Sequence, residues 1–133
     1  MIRTSRLALC GLVLGALVVS GAVAQAQQSA MAIDPGLAKQ GKSLFQKKGC
    51  NGCHTIGKGR MAGPDLLGVT DRRTGDWLKR WIKAPDLMYD SDSIAKGLIA
   101  DFAQMAKMPN LHLSDAEVDA LVNYLAQESQ KKH

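Results

Sequence analysis

Three side chains able to act together chemically fall within five residues, Cys50-Asn51-Gly52-Cys53-His54. Two thiols separated by two residues and followed directly by an imidazole suit a haem. Its vinyl groups take up the thiols as thioethers, while the imidazole binds the iron from one side. Residues three and four apart share a face of a helical turn, so Cys50, Cys53 and His54 converge on a single flat group. The motif therefore reads as the attachment point of one haem c. Zinc is a poorer match, because it usually needs four ligands and the chain adds only His112 and His133, with no second CxxC pair. A thioredoxin-like redox pair needs a strand-helix-strand setting that the Gly-rich and helical surroundings do not supply. A plain disulfide closed over two residues is the third rival.

What stands on the other side of the iron decides what such a haem can do. A thioether there leaves the iron six-coordinate and raises its potential, which suits electron transfer; an open position admits small molecules. Met108, held by the rigid Pro109 after it, is the first candidate for the sixth ligand. Met105, three residues earlier, is the alternative, followed by His112 or an open site. Methionine otherwise serves as a filler of irregular gaps in apolar cores, and the haem motif removes that default for one of the two.

These residues need helices and turns to hold them, and the chain carries the signals for both. Asp34 and Pro35 are a cap and a first helical residue, opening a helix to about Lys48 with Leu37, Gly41, Leu44 and Phe45 on one face. Gly41 costs about 1 kcal/mol relative to alanine in mid-helix, which points to a close contact there. Thr55 to Gly63 is a glycine-marked loop. Gly63-Pro64-Asp65-Leu66 follows, and its proline-bordered turn either returns a carbonyl to the second imidazole nitrogen or is an ordinary turn. Both readings stay open at this point. A short helix spans Trp77 to Ala84 and stops at Pro85, with Trp77 and Trp81 on one face, where the core includes the haem. Caps at Asp90-Ser91-Asp92-Ser93 precede an amphipathic helix carrying Ile94, Leu98, Ile99, Phe102 and Met105, which Met108-Pro109-Asn110 limits. The last helix runs from about Asp115 to Glu128. Ser114 and Glu117 form its capping box, and Leu113 and Val118 its hydrophobic staple.

Composition sets the wider frame. At 133 residues the chain holds at most one ordinary domain and a targeting segment. Arg3 and Arg6 precede an uncharged apolar run from Leu7 to Val19, and Ala22, Ala24 and Ala26 follow, so residues 1–26 read as a secretory signal peptide cleaved near Ala26. Residues 27–33 are then a flexible leader and 34–133 the domain. Cleavage removes Cys10, one of three cysteines, and leaves only Cys50 and Cys53. An uncleaved membrane anchor is the alternative use of the segment, barely long enough to span a bilayer. The net charge of +5 falls when Arg3 and Arg6 are removed, and the remaining Lys and Arg are interspersed with Asp, which excludes a nucleic-acid stripe. An acidic protein surface is the better partner. Lys47, Lys48, Lys58 and Arg60 flank the haem motif and are placed to ring it.

An N-terminal helix, CNGCH, a downstream Gly-Pro-Asp-Leu, Met108-Pro109 and a capped C-terminal helix, in that order, resemble the class I monohaem c-type cytochromes from Pro35 to about Gln127. The resemblance implies an all-α cytochrome c fold, four to five short helices around one covalent haem, with Gly41 of the first helix crossing the face of the last that bears Leu121 and Tyr124. It also implies that Pro64 supplies the carbonyl partner of His54 and Met108 the sixth ligand. Function follows as an expectation: a periplasmic electron carrier, monomeric, with no substrate chemistry and no catalytic residues of its own. The rival expectations are an electron-transfer subunit of a larger periplasmic oxidoreductase and, behind it, a haem sensor or small peroxidase with an open sixth site.

Overall fold

A computed structural model describes residues 31–131. The signal segment 1–26 with Cys10, the leader as far as residue 30, and the terminal Lys132 and His133 lie outside the described residues. Within them the fold is helical and contains no strand. Its helices are α1 (Pro35–Lys47), α2 (Val69–Arg72), α3 (Gly75–Lys83), α4 (Ser93–Asp101) and α5 (Asp115–Ser129), with 3-10 turns at Cys50–Gly52 and Pro85–Leu87.

Helix α1 starts where its caps direct. The Asp34 carboxylate accepts the Leu37 N–H at 2.9 Å, and Pro35 occupies the first turn, where no N–H is needed. Helix α5 begins on a complete capping box, with Glu117 N–H donating to Ser114 Oγ at 3.3 Å and Ser114 N–H donating to the Glu117 carboxylate at 2.9 Å. Leu113 and Val118 flank that cap and are both buried. Helix α3 begins two residues before Trp77 because Thr74 is its cap, accepting the Trp77 N–H at 3.2 Å.

Two elements depart from expectation. Helix α2 was not anticipated, since four residues are too few for an apolar period to register. It starts after Gly68, whose φ of 66° reverses the chain, and Arg72 at its end donates back to the Leu67 carbonyl at 2.7 Å. Helix α4 stops at Asp101 rather than running to Met105. Beyond it the Met105 N–H donates to the Phe102 carbonyl at 2.8 Å, and the chain proceeds to Ser114 without regular structure.

The centre of the packing is the crossing of α1 and α5. Gly41 is buried against the Ala120 carbonyl, and a Cβ placed on it would lie 2.7 Å from Tyr124 Cβ. Helix backbones meet there because one of them has no side chain. Beside the crossing the Phe45 and Tyr124 rings pack with centroids 5.6 Å apart and planes tilted by 60°. Leu78 and Ile82 of α3 close on Val118, Leu121, Val122 and Leu125 of α5. Burial of each such aliphatic side chain is worth about 1.5–3 kcal/mol. Lys48–Glu117 at 2.9 Å and Lys79–Asp119 at 2.8 Å join α5 to its neighbours at the rim. Exposed pairs of this kind add less than about 1 kcal/mol each.

The glycines separate packing from propensity. Gly41→Ala drives a methyl into the α5 backbone and lowers stability by about 1–3 kcal/mol. Gly97→Ala, in the middle of α4 with nothing within 4 Å of the added carbon, raises it by about 0.5–1 kcal/mol. Denaturant midpoints of the two variants, compared at unchanged slope, measure both effects.

Candidate haem site

One wall of the site grows directly out of α1. The helix ends at Lys47 and is capped by Lys48, Gly49 turns the chain with a φ of 78°, and the following turn is closed by His54 N–H donating to the Cys50 carbonyl at 2.9 Å. That turn sets Cys50, Cys53 and His54 along the same cavity. Both cysteines are free thiols, and burial pushes the Cys50 thiol above its ordinary value, the nearby Cys53 adding to a rise that a backbone hydrogen bond opposes.

His54 is fixed by the turn that follows the loop. Its Nδ1 lies 2.9 Å from the Pro64 carbonyl oxygen. A carbonyl can only accept, so Nδ1 carries the proton and Nε2 keeps its lone pair. The ring also rests against Gly63, where a Cβ would stand 2.7 Å from Nδ1 and 3.1 Å from Nε2. Only glycine leaves the imidazole this place. The Gly63 N–H in turn donates to the Cys53 carbonyl at 2.8 Å, closing the loop on the motif it follows.

Asp65 organises that loop, a role its sequence context showed only as turn chemistry. Its carboxylate accepts the N–H groups of Gly57 at 2.8 Å, Gly59 at 2.6 Å and Leu67 at 2.8 Å. Arg72 donates to the Asp65 carbonyl at 3.0 Å from the other side. Partial burial works against the charged carboxylate, but the backbone donors and the Thr55 hydroxyl outweigh it and lower the Asp65 pKa to about 2.

The cavity itself has a volume of about 560 Å³. Its walls are mainly apolar: Phe45 of α1, Trp77, Trp81 and Ile82 from α3, Leu98 of α4 with Phe102 just after it, and Leu121 and Leu125 from α5. Pro64, Met105 and Met108 line it as well. The two methionines differ in their surroundings. Met105 is 50% exposed, whereas Met108 is half-buried against the core. The Tyr89 hydroxyl donates to the Met108 carbonyl, and the Lys107 ammonium sits 4.8 Å from the centre of the Tyr89 ring. Tyr89 meets Trp81 edge-on at 6.1 Å, Trp81 stacks on Trp77 at 5.4 Å, and Trp77 Nε1 donates to Asp92, the cap of α4, at 3.1 Å. His112 is exposed, has a φ of 51°, and is not part of the wall. Cys50, Cys53, His54, Pro64, Trp77, Met105 and Met108 are thus brought to one cavity. Sequence reasoning passed over Gly63, Asp65 and Tyr89.

Two thiols, an imidazole held through Nδ1 and two thioethers line one apolar space of this size, a donor set that fits a haem. Fold and site together define an all-α haem-binding domain. A family model described as Cytochrome c matches residues 38–129, and the chain belongs to the cytochrome c family. Membership makes it a haem-based electron-transfer protein and implies covalently bound haem c. Among solved structures it is similar to cytochrome c from Rhodothermus marinus, with 30% identity and a TM-score of 0.70 over 76% of this chain and 84% of that one. It is also similar to the cytochrome c domain of a protein from Pseudomonas putida, with 42% identity and a TM-score of 0.59 over 68% of this chain and 89% of that one.

A carboxyl held below its unfolded value stabilises the fold above that value and ceases to do so as the pH falls to the folded one. For Asp65 this window runs from its ordinary 3.8 down to about 2. Unfolding measured across that range should show Asp65→Asn less stable than the wild type near neutrality, with the difference shrinking as the pH approaches 2.

Proposed function

We propose that the protein is an exported electron carrier that holds one haem c through Cys50 and Cys53, with His54 and Met108 as axial ligands. When bound, the haem supplies one-electron exchange between ferric and ferrous iron. The observation that carries the reading is the lining of one apolar cavity by both Cys50 and Cys53, by an imidazole whose Nδ1 is tied to the Pro64 carbonyl, and by a half-buried Met108 whose carbonyl is tied to Tyr89.

Each residue has a distinct part in this reading. The Pro64 carbonyl fixes the His54 tautomer and makes Nε2 the better donor. Gly63 leaves the ring no sideways displacement. Trp77 and Trp81 cover the cavity beneath α3, and the apolar walls exclude water, which favours the less charged reduced state. Met108 is preferred to Met105 because its backbone is anchored, whereas Met105 is half exposed. The domain provides no catalytic residues in this reading; it binds, orients and shields.

Export rests on the segment 1–26, with cleavage near Ala26 and action in the periplasm; no helix of the described residues is long and apolar enough to cross a membrane. Docking is to acidic surfaces of redox partners, through exposed Lys47 and Lys58 beside the haem motif. Lys48 and Arg60 contribute less, since Lys48 is paired with Glu117 and Arg60 is engaged with Phe102 and Asp101. A second reading, an electron-transfer part of a larger assembly, has its own support: the similar Pseudomonas putida structure is a cytochrome c domain of a protein.

The ligand assignment is tested by the absorption spectrum of the oxidised protein. Its methionine-to-iron charge-transfer band should vanish in Met108→Ala and survive in Met105→Ala, and the reverse pattern overturns the assignment. The docking assignment is tested by reaction rates with an acidic redox partner, which should fall as ionic strength rises and fall further in a Lys47→Glu, Lys58→Glu variant. Rates indifferent to salt would remove it.

A further inference from the structure

Arg60 belongs in sequence to the loop behind the haem-attachment turn, yet its side chain works on the opposite wall. The guanidinium carbon lies 3.8 Å from the centre of the Phe102 ring, and Nη2 donates to the Asp101 carbonyl. Asp101 is the last residue of α4. In a helix continued by one turn, that carbonyl would accept the N–H of Met105. Here Arg60 takes it, and the Met105 N–H donates to Phe102 instead. Nothing local requires the helix to stop, since residues 102 to 107 include neither glycine nor proline, and alanine, glutamine, methionine and lysine are good helix formers.

We propose that Arg60 is a positioning residue for the sixth-ligand segment: it ends α4 by capping Asp101 and covering Phe102, and so frees residues 102–108 from the helical path. The geometry explains the need. After α4 the chain turns, with Ala103 N–H on the Ala100 carbonyl and Met105 N–H on the Phe102 carbonyl, and residues 106–108 then run without regular structure. Continued as helix, the segment would keep Met105 in register with Asp101 and lose the turn that now precedes Met108. The same contact ties the loop that follows the Cys50–His54 turn to the end of α4 and to Phe102 of the cavity wall.

The proposal rests on the Met108 reading only for its spectroscopic arm. In the haem-loaded protein, amide hydrogen exchange over residues 101–108 should change in Arg60→Ala and in Phe102→Leu but not in Lys58→Ala, an exposed cation of the same loop. Binding of imidazole to the oxidised protein, which requires the sixth position to open, should quicken by about tenfold in Arg60→Ala, as expected for losing one exposed cation–π contact and one hydrogen bond, and by less in Phe102→Leu, which loses only the first. Arg60→Lys, which keeps the charge without the planar fork, should recover only part of the wild-type rate. Exchange unchanged in Arg60→Ala overturns the proposal, and so does changed exchange with unchanged imidazole binding. If Met108→Ala keeps its charge-transfer band, the ligand reading fails separately, and the exchange measurement still decides whether Arg60 fixes the segment.

Discussion

The close approach of α1 and α5 at Gly41 is the contact on which the cavity depends. Helix α5 presents Ala120 and Tyr124 to α1 and, along an adjacent strip, Leu121 and Leu125 to the cavity. Phe45 on α1 does both at once, packing on Tyr124 and lining the same space. A crossing widened by one methyl would therefore displace a cavity wall together with the helix interface. It would also redirect the chain that leaves α1, and Cys50 follows that helix after only Lys48 and Gly49. The position of the reactive motif is inherited from a helix contact on the far side of the core.

The two walls of the site are built by different means. The proximal wall is local in sequence and over-determined: His54 is held by Pro64 and Gly63, Gly63 by Cys53, and the intervening loop by Asp65, whose carboxylate collects three backbone donors. The distal wall is assembled from afar. Its fixed points are Asp92 to Trp77, Tyr89 to Met108 and Arg60 to Asp101, contacts that span 15, 19 and 41 residues. Charge-assisted hydrogen bonds within a short loop lose little chain entropy on forming, whereas long-range contacts must close large loops. The imidazole side is consequently the stiffer of the two, and the thioether side is the one that single side chains can modulate.

This division also explains what could be read from the chain. Asp34-Pro35 and Ser114 with Glu117 state their helix starts through side-chain chemistry that acts within three residues, and the structure places those starts accordingly. Gly41 was legible as a close contact because a glycine inside an otherwise good helix has few other uses. The end of α4 was not legible. Phe102-Ala103-Gln104-Met105 looks like more helix, and what competes with it is a guanidinium from 41 residues upstream, which no local pattern reports. Asp65 and Gly63 were visible only as turn residues for a related reason. Their types suit a turn whether or not an imidazole leans on it, and the difference lies in the partner.

The cavity sets the energetic scale for all of these contacts. The space of about 560 Å³ is lined by apolar side chains of α1, α3 and α5, and burying each of them against a bound group is worth about 1.5–3 kcal/mol, together comparable with the whole stability of a small domain. Rim ion pairs worth less than about 1 kcal/mol each do not approach that. Among the described residues the two cysteines, Cys50 and Cys53, both lie on the cavity wall, and no disulfide adds to the stability there. The group that fills the space must therefore be a structural member of the core as well as the redox centre. In the reading that tethers the haem through Cys50 and Cys53, covalent attachment has a physical rationale beyond retention, because a tethered core element would stay within reach of its site when the long-range contacts from Asp92, Tyr89 and Arg60 open.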